Sequence, residues 1–371
     1  MTLLKPTVYA DNMFCGRAKE TKYLVNNMLS GIHTVVYAPR HCGKSSLAHI
    51  VLSRLKRQMV GVYVDFFSVT SLDDVASKLY RCIFKALGTP ARDKIATLNQ
   101  LAEFFKNLQL GISIDPGSKR PEITVRLGNE PVDTYIETVI GALDDYCGKH
   151  EIKVCLVLDE FQEICNLKDS KKIEGLLRGG MQMAKHVTFM MLGSRRTILR
   201  DMFENNKRPF YKSADIFPLD KIPEEALVDL IERTFEKECA TIPRGEAQQI
   251  IEYCNSYPDY MQKLSMLYFF QMKKNGISIA ETGDLLVTQE SKEFESLFLN
   301  LTLHQKRLLR TIALTTPKSV FNTDFISQYR LGSVGGVQNS LAKLKILDLV
   351  EQVNGQWSVV NPLFHKWLKR Y

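Results

Sequence analysis

The chain has 371 residues, 45% of them hydrophobic, and a formal charge of +8 at neutral pH, which is enough apolar material for two or three separate cores and points to a multidomain globular protein. No apolar run approaches the length that crosses a bilayer, and Met1 to Phe14 lacks a basic segment followed by a hydrophobic core, so no membrane partner and a cytoplasmic location are expected. Eight cysteines are scattered without a Cys-x-x-Cys pair or a His at zinc spacing, and they read as reduced, mostly buried thiols, which excludes a disulfide frame and a zinc site.

Along the chain, five short apolar runs stand out: "HTVVYA" from His33, "VGVYVDFF" from Val60, "KVCLVLDE" from Lys153, "VTFMMLGS" from Val187 and "ADIFPLD" from Ala214. The first four are apolar at nearly every position, as strands covered on both faces are, and helical patterns lie between them. A five-stranded, mostly parallel α/β core over residues 1–220 is predicted. An insertion at 88–131 breaks the rhythm, with "GISIDPGSKRPEITVRL" alternating on either side of Asp115-Pro116-Gly117 as a β-hairpin does. After Leu219 helical patterns take over, with Pro223 and Pro258 at helix starts, and a helical domain over 221–300 follows. Over 301–371 three short helices and two strands joined by Asn354-Gly355 describe a winged helix-turn-helix. From Leu301 onward ten basic residues stand against three acidic ones, nearly the whole excess charge of the chain.

The first strand runs into Ala38-Pro39-Arg40-His41-Cys42-Gly43-Lys44-Ser45-Ser46 and then a helix. In a phosphate loop, backbone N–H groups curl round the phosphate oxygens and the helix aims its positive end at the same point. Gly43 permits close backbone approach, Lys44 neutralises the outer phosphates, and the Ser45 hydroxyl can ligand Mg²⁺. Ala38 stands where such loops usually carry glycine, which is tolerable if its backbone angles suit an L-residue. His41 and Cys42 read as loop filling.

Asp159 ends an apolar strand, which puts its carboxylate at the carboxyl edge of the sheet, where it can hold Mg²⁺ through water. Glu160 follows and can act as general base on an attacking water. A further strand ends in Ser194-Arg195-Arg196, a hydroxyl and guanidinium placed to meet a γ-phosphate, with Arg208 a second arginine candidate. No clustered His/Cys ligands, Gly-x-Ser-x-Gly elbow or kinase loop is present, which leaves a metal enzyme, a covalent hydrolase and a kinase without support.

Taken in order, "MFCGRAKE", "APRHCGKSS", "LVLDEFQE", "LGSRRTIL", "RPFYKSADIFPLD", "NSYPDYMQKL" and "NPLFHKWLKRY" resemble the archaeal-type ATPases. These are signal-transduction (STAND) P-loop ATPases related to the AAA+ machines and to replication initiators, and the resemblance runs nearly the full length. It implies an ASCE-type P-loop NTPase core, a helical lid and a winged helix. It also implies that Phe14, Gly16 and Arg17 lie near the adenine, that Pro258 closes over the nucleotide, and that Ser194 is the polar sensor. Lys212 stands near a position where relatives carry an arginine after Tyr-Gly, a departure that weighs against a trans-acting arginine finger there. The expected function is a Mg²⁺-dependent ATP/ADP switch. Alternatives are an initiator-like regulator that binds double-stranded DNA through Gln338, Asn339, Lys343 and Lys345, and a nucleotide-binding scaffold with little turnover. An external protein partner is a further expectation.

Overall fold

The computed structural model describes residues 14–88, 109–114, 121–126, 132–272 and 276–370. The core alternates helix and strand: α1 (Ala18–Leu29), β1 (Thr34–Tyr37), α2 (Lys44–Leu55), β2 (Val60–Asp65), α3 (Leu72–Gly88), the strands β3 (Gln109–Ile114) and β4 (Pro121–Arg126), α4 (Val132–Lys149), β5 (Val154–Asp159), a 3₁₀ turn (Phe161–Asn166), α5 (Ser170–Met183), β6 (Val187–Gly193), α6 (Arg196–Glu204) and β7 (Asp215–Pro218). Five strands form one sheet in the order β2-β5-β6-β1-β7, parallel at every junction. All five apolar runs are strands of this sheet. β5 and β6 are buried along their whole length, as strands covered on both faces must be. β2 is different: it lies at the sheet edge, and Gly61 and Asp65 are exposed on it, so its apolar run overstates its burial.

The insertion contributes β3 and β4, paired antiparallel from Gln109↔Arg126 to Ile114↔Pro121. The predicted turn at Asp115-Pro116-Gly117, and Met13 in the amino-terminal motif, lie outside the described residues.

Four helices follow the sheet: α7 (Glu224–Lys237), α8 (Arg244–Tyr253), α9 (Pro258–Met272) and α10 (Ile279–Gln289). α10 starts with a capping box: Ser278 Oγ accepts from Glu281 N, and the Glu281 carboxylate accepts from Ser278 N. The carboxyl-terminal elements are α11 (Ser291–Leu299), α12 (Leu303–Thr315), α13 (Thr323–Gln328), α14 (Val334–Ile346), β8 (Val350–Val353), β9 (Gln356–Val359) and α15 (Pro362–Arg370). The wing β8–β9 turns at Asn354 (φ 51°) and Gly355 (φ 77°), the left-handed pair that a tight hairpin demands. α14 starts earlier than its apolar pattern indicates, because Ser333 caps it by accepting from Gly336 N at 3.1 Å.

Among the described residues two apolar cores result. One lies between the sheet and the helices α3 to α6, around Phe66, Phe84, Phe161 and Phe203. The other begins between the opposite sheet face and α1–α2, and it continues without a break through Phe235 and Tyr260 of the helical segment to Phe294, Phe364 and Trp367 of the winged helix. All eight cysteines are free. Among the described residues, no helix is long and apolar enough to cross a membrane.

Candidate functional site

β1 hands its last buried residues to the loop Ala38–Gly43, and α2 starts at Lys44. Within the loop only His41 (φ 67°) and Gly43 (φ 83°) take left-handed backbone. Ala38 therefore has backbone angles that an L-residue adopts, and its amide donates to Gly193 O at 3.4 Å. At Gly43 an added Cβ would meet nothing within 4 Å, so the space over the loop is open. Lys44 is buried; its Nζ donates to Ala38 O and to Pro39 O, each at 2.9 Å, and curls back over the loop. Burial pushes its pKa down, against the pull of Glu160, Cys42 and Asp159.

β5 delivers the buried Asp159 to the same place. Ser45 Oγ donates to Asp159 Oδ2 at 2.6 Å, and the Tyr63 hydroxyl from β2 donates to the same oxygen. Asp159 Oδ1 accepts from the amide of Glu160 at 2.8 Å. Glu160 sits in left-handed backbone (φ 48°), which aims its carboxylate across the sheet edge. There its Oε2 accepts from Ser194 Oγ at 2.8 Å and from Gln162 Nε2. Gln162 is wholly buried, with its Oε1 unpaired among the described residues. A Cβ on Gly193 would lie 2.1 Å from that oxygen; the glycine before Ser194 is what makes room for the amide.

The predicted amino-terminal and lid residues converge as well, though not all as expected. Phe14, Arg17 and Pro258 line a cavity of about 70 Å³ with Cys42, Gly43 and Ser46. A second cavity, of about 370 Å³, holds Arg40, His41, Lys44, Ser45 and Glu160, and the two share Gly43, Ser46, Pro258 and Gln262. Together they make one cleft from the start of α1 to the sheet edge, roofed by α9. Gly16 is not a lining residue. It has φ +65°, and a Cβ there would come within 2.6 Å of Ile222, so it serves close backbone packing beneath the cleft. Arg17 is 2% exposed and tied down by Glu20 at 2.9 Å and Asp220 O at 2.5 Å, which fixes the wall of the cleft and leaves its guanidinium little freedom to follow a ligand.

His41 is more than filling. Its Nδ1 lies 2.9 Å from Asp259 Oδ2 on α9, and its ring packs on Tyr260 at 4.7 Å between centroids. Asp259 also receives Lys263 at 3.2 Å, and Lys263 reaches Glu290 at 2.9 Å. Burial works against the Asp259 charge, but His41 and Lys263 outweigh it and hold the carboxyl below its ordinary range. The loop is thus joined to the roof helix by a polar chain that the sequence did not announce; nothing in Pro258-Asp259 beyond a helix start marks it.

The three arginine candidates part company. Arg195 leans on Glu163 at 3.6 Å and Asn166 at 3.5 Å. Arg196 turns away from the cleft to the winged helix, bonding Asp348 Oδ1 at 3.0 Å and Glu351 Oε2 at 2.7 Å. Arg208 is held by the fully buried Glu174 at 2.7 Å, which takes it out of contention for the cleft.

The oxygen donors Ser45 and Asp159 suit a hard divalent cation such as Mg²⁺, which takes one or two protein oxygens and completes its shell with phosphate and water. Among the described residues no group of three or more His, Cys, Asp or Glu side chains can hold a metal by itself; the donor set fits a metal that arrives with a nucleotide.

On the four α14 residues expected to meet DNA, Gln338, Asn339, Lys343 and Lys345 are all exposed. The carboxyl-terminal end of α14 is nonetheless docked on α6, where Thr197 Oγ1 donates to Lys345 O at 3.4 Å. The Lys345 ammonium rides over the Trp357 ring at 5.8 Å.

A family model described as a probable winged helix domain matches residues 292–370, beginning at α11, whose Phe294 stacks among Phe364 and Trp367 of α15. No curated protein matches the chain. Among solved structures, the chain is similar to a Walker-type ATPase of Pyrococcus abyssi, at 16% identity over 95% of each chain with a TM-score of 0.69. It is also similar to the ORC2 protein of Aeropyrum pernix in its ADPNP–ADP complexes, at 16% identity over 95% of this chain and 92% of that one, TM-score 0.58. The ORC1 protein of the same organism in complex with DNA matches at 13% identity over 99% of this chain and 95% of that one, TM-score 0.51. At such identities the likeness speaks for fold and not for activity. The chain shares its fold with the Walker-type ATPase of Pyrococcus abyssi: a five-stranded parallel α/β core followed by helices that lead into a C-terminal winged helix.

Proposed function

We propose that this protein is an ATP-binding and ATP-hydrolysing switch of the STAND or AAA+ type. The observation that carries this reading is the convergence, from three separate strands, of Lys44 and Ser45 after β1, Asp159 and Glu160 after β5, and Ser194 after β6, joined by the contacts Ser45–Asp159 at 2.6 Å and Ser194–Glu160 at 2.8 Å. The ADPNP–ADP complexes of the ORC2 protein support nucleotide as the ligand.

In this reading the base and ribose lie between Phe14, Arg17 and Pro258, and the phosphates lie along the loop amides from Ala38 to Ser46. Lys44 leaves the Ala38 and Pro39 carbonyls for the outer phosphates. Ser45 and Asp159 would hold Mg²⁺, which would supply neutralisation of charge at the phosphate oxygens. Glu160, its rotamer set by Ser194 and Gln162, takes the proton of the attacking water. Ser194 reports whether the outermost phosphate is present. His41 transmits the loop's arrangement to α9 through Asp259, so occupancy of the loop biases the lid.

Phosphate release by purified protein tests this. Lys44→Ala is expected to abolish nucleotide binding, and Glu160→Gln to keep binding and lose roughly a hundredfold or more in turnover, the scale of a general base. Undiminished release by either variant refutes the assignment. Binding without release by the unaltered protein leaves the low-turnover scaffold.

A second reading has the winged helix on DNA, favoured by the exposed Gln338 and Asn339 in the first half of α14, the end from which such helices reach base edges. Titration of a labelled duplex with the full chain at several salt concentrations tests it; binding that does not weaken with salt, or no binding, rejects it.

A further inference from the structure

A crevice of about 320 Å³ lies beside the phosphate cleft. One wall is the loop (Pro39, Arg40, His41) and the end of β6 (Ser194, Arg195); the facing wall is the winged helix, including Lys343 and Asp348. Arg40, His41 and Glu293 line both this crevice and the phosphate cleft, so the two are continuous around the loop. Ser194, whose hydroxyl rests on Glu160, opens onto the crevice. The winged-helix wall stands close enough to the loop for the charges of Asp348 and Lys44 to act on each other. It is held there by the grip of Arg196 on Asp348 and Glu351.

The charges in this space are unevenly committed. Asp348 is occupied by Arg196, and Arg195 leans to Glu163. Glu293 is an acidic lining residue. Lys343 is exposed and has no carboxylate partner among the described residues. A flexible, unpaired ammonium in a crevice that opens onto a phosphate loop is suited to an anion. A site facing the groove of a duplex needs α14 clear of its neighbours, and the Lys343 end of that helix is the end docked on α6.

We infer that Lys343 reaches from the winged helix into this crevice to the outermost phosphate of a bound nucleoside triphosphate, in cis, and so distinguishes triphosphate from diphosphate. The inference rests on the nucleotide-binding reading above. It assigns Lys343 the part that neither Arg208, locked on Glu174, nor a trans-acting arginine need then play.

Calorimetric affinities for ATPγS and for ADP, each with Mg²⁺, test it on the full chain and on the Lys343→Ala, Lys343→Arg and Lys44→Ala variants. Lys343→Ala is expected to weaken ATPγS roughly tenfold, the loss of one charge-assisted contact, with ADP changed less than about twofold; Lys343→Arg is expected to restore most of the difference. An unchanged ATPγS-to-ADP ratio in Lys343→Ala overturns the inference and leaves the nucleotide site standing, provided Lys44→Ala loses both ligands. Absence of binding by the unaltered chain overturns the nucleotide reading itself. Should Lys343→Ala leave the ratio alone and weaken a labelled duplex instead, Lys343 is a DNA contact and the inference falls.

Discussion

Asp348 offers the sharpest test of how the winged helix is held. It sits with its side chain 12% exposed against Arg196, at left-handed backbone after α14. Burial raises its pKa from 3.8 to about 6, with Glu351 adding to the rise and Arg196 and Lys44 opposing it. For Arg196 burial works against the charge, but Asp348 and Glu351 outweigh it and hold the pKa above its ordinary value; a guanidinium does not titrate near neutrality in any case, so the pH dependence belongs to the carboxyl. Because Asp348 binds its proton more tightly in the folded chain, the stability it contributes is fully present below the unfolded value of 3.8 and is lost as pH rises through about 6. The whole loss comes to about 3 kcal/mol, of which about 1.4 kcal/mol falls between about pH 5 and about pH 7.5. Asp348→Asn removes the titration and keeps an oxygen that accepts from Arg196. The only two tryptophans, Trp357 and Trp367, both lie in the winged helix, so their fluorescence during urea unfolding reads this part of the chain. The stability of the variant relative to wild type is expected to grow by about 1.4 kcal/mol from the lower pH to the higher. Parallel pH profiles for the two proteins would show that Asp348 is ionised as easily folded as unfolded, and the argument from burial would be wrong.

Two further substitutions probe packing elsewhere. Arg208→Ala strips the counter-charge from Glu174, which is 0% exposed, and is expected to lower core stability by about 3 kcal/mol; an unshifted unfolding midpoint by circular dichroism would put Arg208 back among residues free to act at the cleft. Gly283→Ala sets two effects against each other, a helix-propensity gain of about 1 kcal/mol and a Cβ placed 2.3 Å from the Tyr253 ring. Overpacking costs about 1–3 kcal/mol, so a net loss of stability is expected, and a raised midpoint refutes that contact.

What the sequence discloses is what depends on neighbours along the chain. The strands β1, β5 and β6 show as unbroken apolar runs, and the residues that close them, Ala38 onward, Asp159-Glu160 and Ser194, are placed at one sheet edge by parallel pairing alone. The wing is legible in Asn354-Gly355 for the same local reason. The edge position of β2 is not, since apolar residues at Val60, Val62 and Val64 do not say whether a further strand lies beyond them. Nor are the contacts that set side chains in the cleft: Tyr63 meets Asp159 across 96 positions, His41 meets Asp259 across 218, and Arg196 meets Asp348 across 152. Arg195 and Arg196 are alike as letters. Their opposite directions follow only from where α6 starts and from what the winged helix brings to it.

The unbroken apolar seam from α1 to α15 bears on how motion passes through the molecule. At the start of α9, Tyr257 donates its hydroxyl to Val360 O at 2.8 Å, and one turn on Tyr260 accepts from Asn361 Nδ2 at 2.7 Å. Two phenols, one just before α9 and one in its first turn, therefore grip the chain just after the wing, and the proline between them that starts the helix lines the cleft over the loop. Any tilt of α9 would have to break these two hydrogen bonds or carry the carboxyl-terminal module with it. Severing that module would strip an oily face from the roof helix and not simply remove a passenger.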